Sequence, residues 1–160
     1  MATFDISSEF NKQEVTNAVD QCHREISNRY DFRDTNTSVS LMDSSILLKS
    51  STLDRMLAAE QVLREKFVKR NVSVKFLGDV KDETLPSEVK RTYNLKSGID
   101  QLTSKKIITL LKKSNKKIQC SYQNESIRVT SKKRDDLQEA ITLIKDSDIE
   151  TPLNFGNFRD

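Results

Sequence analysis

The residues best suited to hold an anion sit late in the chain. Arg128 is followed by Ser131, Lys132, Lys133 and Arg134. A strand ending there and a helix starting there would aim free backbone N–H groups past nearby cations, an arrangement that favours phosphate. Ser131 is placed to cap that helix. Lys117 is expected with Arg128 on one open sheet face. Asp135 and Asp136 suit the first helical turn but oppose an incoming anion. The same residues also describe a basic turn whose arginine pairs with those aspartates.

Two further groups carry chemistry. Lys105, Lys106, Lys112, Lys113 and Lys116 recur at helical spacing. They read as a ridge for salt-sensitive, sequence-independent nucleic-acid binding, or as a solvated helix face. Arg29 and Arg33 flank Tyr30-Asp31-Phe32. They read as a clamp that stacks a base and holds phosphate. The other reading is a helix C-terminus in which Arg29 complements the dipole and both aromatics plug the core. Phe155 and Phe158 are likewise expected as core plugs.

Catalysis finds little to work with. The chain has one histidine, His23, and two cysteines, Cys22 and Cys120, with no CxxC. That excludes a zinc cluster and a disulfide scaffold, and fits a reducing cytosol. Three glycines leave no GxGxxG, and the Walker spacing is absent. Asp135 and Asp136 point about 100° apart on a helix, poor geometry for a shared acid–base pair. The chain is read as a binding protein rather than an enzyme, without metal or cofactor.

The 160 residues carry a net charge of +3 and are 35% hydrophobic. No apolar run approaches the ~18 residues of a membrane span, and the opening MATFDISSEF has no signal-peptide pattern. The net charge hides an imbalance. From Lys90 to Arg134 there are 13 basic residues against Asp100 and Glu125, a block that attracts anions.

The elements that must position these residues follow from periodicity. Strands are expected at Phe4–Ile6, 37–42, 45–50, Val72–Phe76, Tyr93–Leu95, 116–122 and 126–131, with a final extended segment at Pro152–Phe155. Turns are expected at Asp43-Ser44 and Gln123-Asn124. Helices are expected at 13–29, 53–69, 99–113 and 133–146. Leu53 and Leu102 are among their buried positions. The polar stretch 78–91, with Gly78 and Pro86, reads as a linker. Ser45-Ile46 aligns with Ser126-Ile127 at an offset of 81 residues, and the element order repeats. Each half reads βαββαβ, so the fold class is α+β with two ferredoxin-like units on antiparallel sheets. The second unit's open face has no aromatic residue, so base stacking of the usual RNA-reader kind is not expected there.

Several blocks also resemble one family: FDISSE (Phe4–Glu9), HREISNRYDFR (His23–Arg33), LREKFVKR (Leu63–Arg70), KSGID (Lys96–Asp100), RVTSKKRDDLQ (Arg128–Gln138) and NFRD (Asn157–Asp160). Together they resemble the YajQ family of bacterial nucleotide-binding proteins over nearly the whole chain. Lys133 departs from the small residue common there, and the 80–92 stretch lacks the family's frequent glycines. The resemblance implies that two ferredoxin-like domains exchange strands. The first would span 11–90 plus a strand near 91–96, and the second 97–160 plus strand 1–10. Sheets shared in this way would make the two halves unfold together.

The resemblance also implies nucleotide binding of the GTP, ATP or cyclic di-GMP class, in some members as a receptor acting through a regulatory protein. The alternatives are an RNA- or DNA-binding accessory protein using the basic second half, and a protein-interaction adaptor. No membrane partner is expected, and the cytoplasm is the expected location.

Overall fold

The computed structural model describes residues 1–160. Eight strands and four α-helices follow in the order β1 (Ala2–Ser7), α1 (Lys12–Asn28), β2 (Ser38–Leu41), β3 (Ser45–Ser50), α2 (Leu53–Lys69), β4 (Val80–Thr84), β5 (Val89–Asn94), α3 (Gln101–Ser114), β6 (Gln119–Gln123), β7 (Ser126–Ser131), α4 (Arg134–Lys145) and β8 (Asn154–Arg159). They form two four-stranded antiparallel sheets, β6-β7-β1-β8 and β2-β3-β5-β4. Both have the strand order of a ferredoxin-like unit.

The chain divides into two compact units. Unit 1 comprises Met1–Glu9 and Ser97–Asp160, and unit 2 comprises Phe10–Lys96. β1 lies between β7 and β8, and β5 lies between β3 and β5's other neighbour, β4. The central strand of unit 1 therefore comes from the start of the chain, whereas unit 2 is one continuous stretch in permuted order. All strand pairings stay within a unit. The sheets thus give no support to joint unfolding.

Local signals set the helices. The Asn11 side chain accepts from the Gln13 and Glu14 N–H groups at 3.0 and 3.2 Å, and starts α1. Thr52 and Asp100 cap α2 and α3 in the same way. In α1, Val15, Ala18, Val19, Cys22 and Ile26 are buried along one face. They meet Ile46, Leu48, Leu63, Phe67 and Tyr93 in the core of unit 2. In unit 1, Phe4 and Ile6 of β1 join Ile107, Leu111, Ile127, Val129 and Ile144.

Four sequence expectations are corrected. The stretch read as a linker is the β4–β5 hairpin, closed by a bond from the Leu85 N–H to the Glu88 carbonyl at 2.8 Å. β4 is an edge strand whose five residues are all exposed, so it carries no apolar alternation to reveal it. Val72–Phe76 is not a strand. A 3-10 turn runs from Val74 to Leu77 and buries the neighbours Phe76 and Leu77, which a one-sided strand would point apart. Leu53 and Leu102 are 52% and 67% exposed, because each sits in the outward-facing first turn of its helix. The turn after β6 also moves by one residue, to Asn124-Glu125, both left-handed at φ 53° and 61°.

Candidate functional site

The predicted phosphate-binding residues fall on two faces of the unit 1 sheet. Ile127, Val129 and Ser131 are buried, whereas Arg128 is exposed on the opposite face. There the Arg128 Nε donates to the cross-strand Asp5 Oδ1 at 3.1 Å, and Asn157 donates to Asp5 Oδ2 at 2.7 Å. The Arg128 hydrogen bond, only partly offset by burial, holds the Asp5 carboxyl below its usual range. Arg128 is thus committed to an aspartate, but not to Asp135 or Asp136.

At the start of α4, Ser131 is 3% exposed. Its hydroxyl donates to Asp136 at 2.8 Å and accepts weakly from the Lys133 N–H at 3.4 Å. The N-cap position falls on Lys133, which offers no side-chain cap. The first turn of α4 therefore keeps unsatisfied N–H groups. Lys132, Lys133 and Arg134 are exposed around it. Arg134 holds Asp160 through two bonds, one of them from Nε to Oδ1 at 2.5 Å.

A cleft of about 410 Å³ opens here, lined by Ala2, Thr3, Arg134, Asp135, Leu137, Gln138, Phe158, Arg159 and Asp160. Asn157, left-handed at φ 56°, adds one residue to β8 against β1, a bulge that breaks the register beside Phe158. Phe158 stacks on the buried Phe4 ring, centroids 5.8 Å apart, yet stays 57% exposed. It is not the core plug that its sequence suggested. Phe155 does pack against the core. The cleft combines the guanidinium groups of Arg134 and Arg159, the carboxylates of Asp135 and Asp160, an open helix N-terminus and an exposed aromatic ring. Lys117 precedes β6 at this same end of the sheet, since Gln119 pairs with Thr130.

The lysine ridge is laid out along α3. Lys105, Lys106, Lys112 and Lys113 are exposed on the helix, Lys116 and Lys117 follow in the turn, and no ion pair joins any of them. Lys112 and Lys113 also complement the helix C-terminus. The exposed Leu102 shares their face.

The third group lies in unit 2, where Arg29, Tyr30, Phe32 and Arg33 help to line a cavity of about 520 Å³. Arg29 is engaged by Asp31 at 2.7 Å and lies 5.2 Å above the Phe32 ring. Phe32 plugs the core, but Tyr30 is 84% exposed. Arg33 is exposed without an ion pair. His23 is exposed, and burial pushes the Cys22 thiol up to about 12, so that it stays protonated at neutral pH.

Sequence reasoning found Arg134 but missed Phe158, Arg159 and Asp160 as its neighbours. The NFRD block held the signal. An aromatic beside an arginine, in a segment with no apolar periodicity of its own, marks residues that do not all serve a core.

The fold and the cleft together define a class, a duplicated ferredoxin-like protein with an aromatic-edged cleft on one unit, lined by two arginines and two aspartates. Comparison with known proteins narrows that class. The model of the family "Nucleotide-binding protein YajQ-like" matches residues 2–159. Full-length relatives named "Nucleotide-binding protein" from Hahella chejuensis, Coxiella burnetii (strain Dugway 5J108-111) and Legionella pneumophila (strain Corby) are each 42% identical, with 100% of both chains covered. The chain belongs to the YajQ-like nucleotide-binding protein family.

Proposed function

We propose that this chain is a non-catalytic nucleotide-binding protein of the cytoplasm, and that the ligand sits in the unit 1 cleft between the start of α4 and β8. One observation carries the reading: Arg134, Arg159, the uncapped N-terminus of α4 and the exposed Phe158 ring all line a single cavity. Arginine matches phosphate with paired donors, and the helix N-terminus adds oriented N–H groups. The ring offers a stacking platform for a base. Asp135 lines the same cleft. A carboxylate there can accept the adjacent N1–H and N2–H donors of guanine, which adenine does not present. This favours a guanine ligand, GTP or cyclic di-GMP, in a regulatory role. The family membership and the names of the relatives support nucleotide binding itself.

A second reading has its own observation. The unpaired lysines of α3 suit a single-stranded nucleic acid, held by charge and released by salt. One experiment separates the two. ATP, GTP, cyclic di-GMP and a short RNA are titrated by calorimetry at two salt concentrations. A nucleotide receptor binds one equivalent with a shallow salt dependence and weakens about tenfold in Arg134→Ala. A nucleic-acid binder prefers RNA, loses affinity steeply with salt and tolerates that substitution. If neither class binds at low salt, both readings fall and the chain acts as a protein-interaction adaptor.

A further inference from the structure

At the other end of β1, unit 1 has a second cavity of about 350 Å³ whose charged side chains are all acidic. Asp5, Glu9 and Glu125 line it, together with serines and asparagines, and no lysine or arginine does. Asp5 already accepts from Arg128 and Asn157. Glu9 and Glu125 are in no ion pair, so their charge is uncompensated. Phosphate is repelled from such a site, and no three carboxylates are grouped to ligate a metal ion.

Two further features point to a ligand. Ser8 lines the cavity, is 1% exposed, and its Oγ is the one buried side-chain polar atom in the chain without a hydrogen-bond partner. Such orphans are uncommon, because their desolvation is uncompensated. Second, Glu125 occupies the second position of a tight turn at φ 61°, where glycine is favoured. Its carboxylate lies against Gly98, itself at φ 94°, and a Cβ at that glycine would overlap it. The surrounding loops are pinned by bonds from the Gly98 N–H to the Ser8 carbonyl at 2.5 Å and from the Ile99 N–H to the Glu125 carbonyl at 2.8 Å. The chain thus holds a carboxylate in place against its backbone preference.

We propose that this cavity binds an organic cation rich in N–H donors, a primary ammonium or a guanidinium group. Glu125 and Glu9 balance its charge, and the Ser8 hydroxyl accepts a hydrogen bond from one of its N–H groups. The group belongs either to a free polyamine or to a lysine or arginine side chain of a peptide.

The test is an NMR titration of the full chain with spermidine, with a Gly-Lys-Gly peptide and with a Gly-Arg-Gly peptide. Tetramethylammonium (a cation without N–H donors) and magnesium chloride (a multiply charged cation without them) are the controls. Saturable shifts of the Ser8, Gly98 and Glu125 amides are expected with spermidine or with a peptide, and the arm that binds tighter names the source. Glu125→Gln should weaken binding about tenfold. Glu125→Gly relieves the left-handed strain, so it should raise the thermal midpoint while losing binding. Arg134→Ala should leave these shifts unchanged, which separates this site from the nucleotide cleft. No saturable shifts, equal shifts with tetramethylammonium, a stronger response to magnesium, or full binding in Glu125→Gly would each overturn the proposal.

Discussion

The two units share a strand order and nearly the same net charge, yet they use charge in opposite ways. Unit 2 holds fifteen Lys and Arg against thirteen Asp and Glu, and unit 1 holds twelve against eleven. In unit 2, eight of those cations are in ion pairs. In unit 1 only Arg128 and Arg134 are. The basic block read along the sequence is therefore cut by the fold, because Lys90, Arg91 and Lys96 fall in unit 2. What separates the units is whether the cations already have partners. One topology supports internal pairing in one copy and mostly unpaired cations in the other.

The pairing in unit 2 is most concentrated around Glu60. Arg91 bridges it at 2.7 Å to Asp82, also at 2.7 Å, and the fully buried Tyr93 donates its hydroxyl to the same carboxylate. Burial raises the Glu60 pKa, but the Tyr93 and Arg91 hydrogen bonds outweigh it and leave the group below its usual value. This network fastens α2 to β5 and β4.

The largest effect that could break the comparison comes from the core of unit 1. Phe4→Ala removes a fully buried ring from a central strand and should cost about 4 kcal/mol. Hydrogen exchange should show protection lost in β7 and β8 and retained in α1 and α2. Equal loss in both units would show that they stand or fall together.

Next is the Glu60 network. Glu60→Ala leaves Arg91 and Tyr93 short of their acceptor and should cost about 3 kcal/mol in denaturant unfolding, read in unit 2. Its pH signature follows from the sign of the shift. A depressed carboxylate stabilises the fold above its unfolded pKa and loses that contribution as pH falls through the lower folded value. Glu25, Asp31 and Asp82 are depressed as well, mainly by hydrogen bonds from Lys66, Arg29 and Arg91. Unit 2 should therefore weaken below about pH 4. Glu60→Gln should flatten that limb in unfolding curves recorded at a series of pH values.

In the cleft, Asp160→Asn frees Arg134 from its internal partner and should tighten nucleotide binding about threefold by calorimetry. A drop would mean that Asp160 supports the ligand instead of competing with it. The smallest change is spread over α3. Glutamine at Lys105, Lys106, Lys112 and Lys113 together should reduce the slope of log affinity against log salt for RNA by about 3, with little change for a mononucleotide.

How much of this was legible in sequence depended on burial. Helices α1 to α4 and strands β3 and β7 declare themselves through an apolar face, and their positions in the structure differ from the periodicity by at most two residues. β4 did not, because an edge strand with every side chain in water has no pattern to show. The cleft was half legible. Arg134 announced itself as part of a basic run after a strand, but its neighbours Phe158, Arg159 and Asp160 arrive from a distant strand. They line the cleft with it just past the bulge at Asn157. Arg128 looked like Arg134's neighbour, yet strand alternation carries it to the other face. The orphaned Ser8 hydroxyl leaves no mark in sequence, since a serine in a strand end reads the same with or without a partner.

The order of the elements has a consequence for synthesis. On the ribosome, β1 emerges well before its neighbours β7 and β8, which come after every other strand of the two sheets. At 5–20 residues per second, Phe4 and Ile6 wait about 7–30 s for the sheet that will cover them. Unit 2 meanwhile has all of its strands in hand before α3 is translated. Of the eight strands, β1 is therefore the one exposed longest, and it is where a chaperone would have the most time to bind.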